Sequence, residues 1–434
     1  MQAQAGHNGY NATVMNAQFC LKARWILPVA APPIENGTLT VEDGRIVAVG
    51  RAVTDCEVTD LGDVIILPGL VNAHTHLEFS DLDAPLGESG MALPDWIRRV
   101  MAYRAARDES RDAVACGIDE SLRAGTTALG DILTHDWRHR VVAARRVLPQ
   151  MVAFWESIAP TGDRVMGAAS QAEAFLSGDS PTPRVRAAIS PHAPYTVHRE
   201  LLQALVAMSR QHNVAVTMHL AESPEELEFL KTGQGPFRDL LAEVGALDPK
   251  PKAARYPTNL DYLEQLADAP RSLVVHGNYL SDEETGFLAA RSDRMSVVYC
   301  PRTHTFFEHD AYPLAQLLER GLAVALGTDS RASNPDLGIL AEMQQVRQRH
   351  GELPGETIVA MGTLCGARAL GFSAEMGSLE PGKLANLAVV SATTGDDNPY
   401  DAVLDRDARV VATYLHGTRI DSAVEGDSRR AGGG

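Results

Sequence analysis

The chain has 434 residues, 45% of them hydrophobic, which is enough for a large core and more than one minimal domain requires. Its net charge of −17, from 39 Lys and Arg against 56 Asp and Glu, argues against a nucleic-acid partner, because phosphate binding needs clustered cations. No apolar run approaches the roughly 20 residues of a membrane helix. The opening MQAQAGHNGYNATVM lacks the basic-then-apolar order of an export signal. The expectation is a cytoplasmic protein with no membrane partner.

In chain order, the segment GTLTVEDGRIVAVG (37–50) reads as two short strands around the turn signal Asp43-Gly44. Eight apolar runs follow, separated by longer helical patterns. They are ILPGLVNAHTH (66–76), TTALGDI (126–132), QMVAFWES (150–157), VRAAISPHAP (185–194), VAVTMHLAES (214–223), SLVVHGNYL (272–280), SVVYCPRTH (296–304) and LAVALGTDS (322–330). Eight buried strands with crossovers of this length predict a closed parallel (β/α)8 TIM-type barrel over 66–372, not an open doubly wound sheet.

Beyond the barrel, GSLEPGKLANLAVV (377–390) again reads as short strands, broken at Pro381-Gly382. The segments 1–65 and 373–423 are expected to pair into one small composite β-sandwich domain, and 424–434, without an apolar pattern, to form a disordered tail. The five cysteines, Cys20, Cys56, Cys116, Cys300 and Cys365, are far apart, odd in number and without a C-x-x-C pair. Neither a disulfide framework nor a Cys-ligated zinc site is expected.

Polar residues cluster at the ends of the apolar runs. In a parallel barrel the carboxyl ends of all strands open onto one face, so these residues converge there. The first run ends in His74-Thr75-His76, whose alternate residues share a side of a strand. The fifth supplies His219, the sixth His276 and the eighth Asp329. Imidazole and carboxylate donors suit one divalent ion, zinc first and ferrous iron second, with water in the open position. Each residue alone has a plainer reading, a satisfied core histidine or, for Asp329, a helix cap. Four histidines and one aspartate at the ends of four strands of one barrel outweigh those readings.

PGLVNAHTH, MHLAES, VHGNYLS and LGTDSRASNPDL, in that order, resemble the amidohydrolase superfamily, and the resemblance covers nearly the whole chain. It implies His74, His76, His219 and Asp329 as metal ligands, with His276 beside the bound water. Binuclear members carry a carboxylated lysine on the fourth strand. Here VRAAISPHAP has none, and the lysines are Lys22, Lys231, Lys250, Lys252 and Lys383, so the resemblance implies a single ion. The deaminase branch has Glu in the H-x-x-E position, occupied here by Glu222, which would shuttle a proton to a ring nitrogen. The plainer reading of Glu222 is a charge before the helix start Ser223-Pro224-Glu225-Glu226.

The implied reaction is attack of a metal-activated hydroxide on the amino-bearing ring carbon, with His276 and Asp329 handling the water proton and ammonia leaving. For the substrate, His192 in SPHAPY, Glu78, the pair Asp95-Trp96, Arg302 and His304 are candidate contacts, Arg302 as a carboxylate reader. HTHLEFS, SPHAPY, HLAESPEELEFL and NLDYLEQL look most like aminodeoxyfutalosine deaminases of menaquinone synthesis, whose substrate joins adenine to a benzoate. Methylthioadenosine, adenosylhomocysteine, guanine and triazine-type substrates are the alternatives, and a non-catalytic barrel a remoter one. The adenosylhomocysteine branch implies an acidic ribose clamp about nine residues after Trp96, where this chain has Arg104-Ala105-Ala106-Arg107. The expected partner is a small purine-like amine, with a homodimer left open.

Overall fold

The structure is a computed structural model that describes residues 18–51, 56–107, 112–145, 147–250, 255–391 and 398–420, and the expected tail at 424–434 lies outside them. The first strands are β1 (Phe19–Ile26), β2 (Ile34–Glu42), β3 (Arg45–Gly50), β4 (Glu57–Asp60) and β5 (Val64–Pro68). The eight that follow are β6 (Leu70–Thr75), β7 (Thr126–Leu133), β8 (Gln150–Ser157), β9 (Val185–Pro191), β10 (Val216–Leu220), β11 (Ser272–His276), β12 (Met295–Tyr299) and β13 (Ala323–Leu326). The chain then adds β14 (Leu387–Ser391), β15 (Val410–Leu415) and β16 (Thr418–Ile420).

Strands β6 to β13 pair in sequential parallel order, and the parallel bridge Thr75↔Asp329 joins the first to the segment after the last. This is the (β/α)8 barrel, and each of its strands falls on one of the eight apolar runs. Alternation sorts the side chains. On β8, Val152 and Phe154 lie in the inner cluster with Ala188, Leu273, Val275, Val298 and Ala325, while Met151 and Ala153 pack outward against helices.

The other strands form one mixed sheet, β16-β15-β14-β5-β1-β2-β3, with β4 on β1, so both ends of the chain build it. Asp43 and Gly44, at φ 50° and 74°, make the two-residue turn between β2 and β3. Strand β5 crosses the expected boundary at 65/66: it pairs with β1 and β14, so the barrel proper begins at Leu70. Both faces of β5 are buried, Ile66 in the small domain's core and Ile65 and Leu67 in the barrel's, which gives ILPGLV its unbroken apolar run.

One expectation about cysteines is corrected. Cys20 and Cys56 form a disulfide with Cα atoms 6.1 Å apart. Their separation of 36 residues carries no spacing signal, and it is the parallel pairing of β1 with β4, Cys20 opposite Val58, that brings them together. It is a single bond between neighbouring strands. Among the described residues, no helix is long and apolar enough to cross a membrane.

Candidate metal and active site

His74, His76, His219, His276 and Asp329 meet at the carboxyl end of the barrel, all buried. Asp329 Oδ1 lies 3.4 Å from His74 Nε2 and 3.5 Å from His76 Nε2. The His74 ring centroid is 4.9 Å from that of His219 and 5.9 Å from that of His276. Donor atoms of His74, His76 and Asp329, and of His74, His219 and His276, lie within 4.8 Å of one another in each set. A register irregularity between Asn72 and Thr75 on β6 sets the outlook of the paired histidines. Left-handed backbone at His276, φ 67°, and Asp329, φ 56°, turns those two side chains at their strand ends.

Hydrogen bonds around the cluster fix which atoms face inward. His219 Nδ1 donates to the His192 carbonyl at 3.0 Å, leaving Nε2 for the centre. Ser333 Oγ donates to Asp329 Oδ2 at 2.7 Å, and Tyr312 donates to the His276 carbonyl at 3.1 Å. Both ring nitrogens of His74, Nδ1 of His76 and Nε2 of His276 are buried with no hydrogen-bond partner. Orphaned imidazole nitrogens crowded around a carboxylate fit a cation and little else.

The protonation pattern agrees with that fit. Burial, then the neighbouring His74, holds the His76 and His219 imidazoles well below their usual range. Burial does the same at His276, against the opposing pull of Asp329. Burial alone would raise the Asp329 carboxyl, but the close approach of His74, and then of His76 and His276, carries it below the usual carboxylate range. Neutral imidazoles beside an ionised carboxylate are the forms that ligate a metal.

Glu222 stands at the rim with Oε1 3.4 Å from His276 Nε2. Burial, followed by the charge of Asp329, pushes its carboxyl well up. Its backbone is held by Glu226, which accepts from the Ala221 and Glu222 amides at 2.9 and 3.1 Å, and by Asn278, which donates to the Glu222 carbonyl at 2.8 Å. The helix start read in the sequence is also present, Pro224–Thr232 capped by Ser223. The helix supplies Glu226, and Glu226 positions Glu222.

Above the cluster opens a cavity of about 450 Å³ whose wall includes Trp96, His192 and Glu222. Trp96 donates through its ring nitrogen to the Ala332 carbonyl at 3.1 Å, and His192 Nδ1 is 2.6 Å from Thr196 Oγ1. Four other expected contacts lie off this wall, among them Asp95, which is exposed and pairs with Arg98 at 2.8 Å. Glu78 turns to Arg104 at 2.6 Å and to Thr134 at 3.1 Å, so it holds Arg104, which does line the cavity. Arg302 forks onto Asp336 at 2.7 and 2.9 Å and borders a different groove. His304 is buried against Tyr299 and Tyr312. The reason is local: β12 ends at Tyr299, and the helix Pro301–Phe306 carries Arg302 and His304 away from the mouth.

Arg104, Glu156 and Arg164 also line the cavity without having been picked from the sequence as contacts. Glu156 was legible in one respect: QMVAFWES ends in a carboxylate in step with the inward Val152 and Phe154. Burial pushes its carboxyl up to about 7, against the pull of Arg104.

With this geometry in hand, similarity to known proteins is informative. The amidohydrolase family matches residues 65–420. A 5-methylthioadenosine/S-adenosylhomocysteine deaminase of Nitratidesulfovibrio vulgaris is 31% identical over 388 residues, covering 84% of this chain and 82% of its own. Among solved structures, aminofutalosine deaminase of Helicobacter pylori, in complex with methylthio-coformycin, superposes with a TM-score of 0.80 at 22% identity, covering 93% of this chain and 100% of its own. An adenosine deaminase of Xanthomonas campestris with bound zinc reaches 0.68 at 24% identity, covering 93% and 92%. The chain belongs to the amidohydrolase family. It is a hydrolytic deaminase acting on C–N bonds.

Proposed function

We propose that the protein deaminates adenine nucleosides at C6, with one zinc ion held by His74, His76, His219 and Asp329. The observation that carries this reading is the buried Glu222 carboxyl facing His276 Nε2, 3.4 Å away, at the edge of the orphaned histidine cluster. When bound, the ion supplies a Lewis acid that makes water nucleophilic near neutral pH. His276 and Asp329 orient that water and take its proton. Glu222, protonated, gives its proton to the ring nitrogen beside the attacked carbon, so electron density has somewhere to go as the carbon becomes tetrahedral. The proton taken from water is then delivered to the amino group, and ammonia leaves as the C6 hydroxyl gives its remaining proton back to Glu222 and becomes the carbonyl.

The outer cavity bears on the 5′ group. Apolar Met101, Ile158, Leu241 and Val244 share it with the guanidinium groups of Arg104 and Arg164. Such a wall favours an apolar 5′ extension ending in an anion, and a benzoate-bearing adenine nucleoside, 6-amino-6-deoxyfutalosine, has that form. Resemblance to the N. vulgaris deaminase favours a second reading, methylthioadenosine or adenosylhomocysteine. Arg302, engaged with Asp336, is not the carboxylate reader in either case.

The test is a spectrophotometric screen for adenine-to-hypoxanthine conversion across nucleosides with 5′ hydroxyl, methylthio, homocysteinyl and carboxyphenyl-bearing groups. Conversion of at least one supports the deaminase reading, and highest kcat/KM on the carboxyphenyl compound supports the narrower one. Conversion of none contradicts both.

A further inference from the structure

Glu156 is the penultimate residue of β8, on the inward side, two residues after Phe154 and four after Val152, both in the barrel's inner cluster. Its side chain is 3% exposed and lines the cavity. Oε1 has no hydrogen-bond partner among the described residues. His192 Nε2 stands 4.0 Å from it, too far for a hydrogen bond. Leaving a buried carboxylate oxygen unmet is unfavourable, and native structures rarely do so unless a ligand or water completes the shell.

A second cation is one way to complete it, since ligand atoms of Glu156, His192 and His219 lie within 4.8 Å of one another. The hydrogen bonds speak against that. His219 Nδ1 is engaged by the His192 carbonyl, so its one free nitrogen belongs to the first centre, and His192 Nδ1 is taken by Thr196. Only Glu156 and His192 Nε2 would remain, fewer donors than a closed site uses. A ligand that donates hydrogens is the better match.

We propose that Glu156 touches the substrate and accepts hydrogen bonds from the vicinal 2′ and 3′ hydroxyls of the nucleoside sugar. This rests on the reading that the substrate is an adenine nucleoside. The ring itself offers Glu156 little: away from the edge that faces Glu222, adenine presents N3 and N7, both acceptors, which oppose a carboxylate. Two adjacent hydroxyls offer two donors to two acceptor oxygens. An anionic 5′ group is repelled by Glu156 and is left to Arg104 and Arg164, so the cavity sorts the two ends of the substrate by charge.

Steady-state deamination of adenosine and 2′,3′-dideoxyadenosine by the metal-replete full chain tests this, with Glu156→Gln and Glu156→Ala beside the wild type and metal content measured for each. The wild type is expected to prefer adenosine. Glu156→Ala should lower kcat/KM on adenosine by about 10- to 100-fold, the range for a hydrogen bond to a charged group, mainly through KM. Glu156→Gln, which keeps one acceptor, should lose less, and in each variant the fold-loss should be clearly smaller on the dideoxy compound than on adenosine. Equal losses on both substrates overturn the inference, as does a wild type that turns over both equally well. The latter comparison needs no variant, so poor folding of a variant leaves the test intact. A wild type inactive on both, and on the wider nucleoside panel, removes the deaminase reading itself and this inference with it.

Discussion

At His276 and Asp329 the backbone adopts left-handed φ of 67° and 56°, a conformation that costs a non-glycine residue about 1–3 kcal/mol. Tyr312 on the His276 carbonyl and Thr75 on the Asp329 carbonyl, at 3.1 and 2.9 Å, help hold these turns. Residue chemistry then gives separable expectations. Glu222→Gln should lower turnover by about 10²–10⁴, the usual weight of a general acid or base, while bound metal is retained. Ammonia release and elemental analysis on the same sample check both halves, and full turnover in Glu222→Gln removes the proton shuttle. Arg302→Ala should leave KM unchanged, because the side chain pairs with Asp336 away from the cavity, and should lower stability by about 1–3 kcal/mol in denaturant titration. His304 offers a pH test. Burial holds its imidazole down at about 3, so below pH 6.5 the unfolded chain takes up a proton that the native chain refuses. This residue's contribution to stability is therefore present above 6.5 and is lost as pH falls towards 3. In His304→Phe that loss is absent, and the stability gap between variant and wild type should move in the variant's favour by up to about 1.4 kcal/mol per pH unit across that window.

The elements explain why some residues were legible in the sequence and others were not. A histidine or carboxylate that closes an apolar run marks the mouth of a parallel barrel, so His74, His76, His219, His276 and Asp329 could be read before any coordinates. Arg302 and His304 follow the same rule on paper, yet helix Pro301–Phe306 begins two residues after Tyr299 and rotates them out. Arg104 sits in a helix, Leu93–Ala106, whose docking over the mouth has no signature in local periodicity. The Cys20–Cys56 bond depends in the same way on a strand pairing made over distance. Close packing between elements gives a further prediction. A Cβ at Gly327, just past β13, would lie 2.9 Å from the His74 carbonyl oxygen and 3.0 Å from His74 Cβ. Gly327→Ala should thus displace His74 and weaken metal binding. Competition against a chromogenic chelator measures this, and unchanged affinity would mean that β6 yields without moving the imidazole.

Across the whole molecule, the barrel and the composite sheet share β5, whose two faces enter the two cores. The strands before and after the barrel are thereby fastened to the amino-terminal side of the first barrel strand, and the opposite face is left open for the cavity. The four proposed ligands and His276, spread from His74 to Asp329, come together only when this barrel closes, so an ion held there would bind the native state alone and should raise thermal stability. At 100-fold excess over the dissociation constant the gain is about 2.7 kcal/mol. Calorimetry with and without chelator should resolve it. The most direct test of the central claim is adenine-to-hypoxanthine conversion by one preparation assayed as purified, after exhaustive chelation and after readdition of zinc. The account predicts activity, its loss and its return in step with one bound ion per chain; conversion that persists undiminished in the metal-free protein would contradict it.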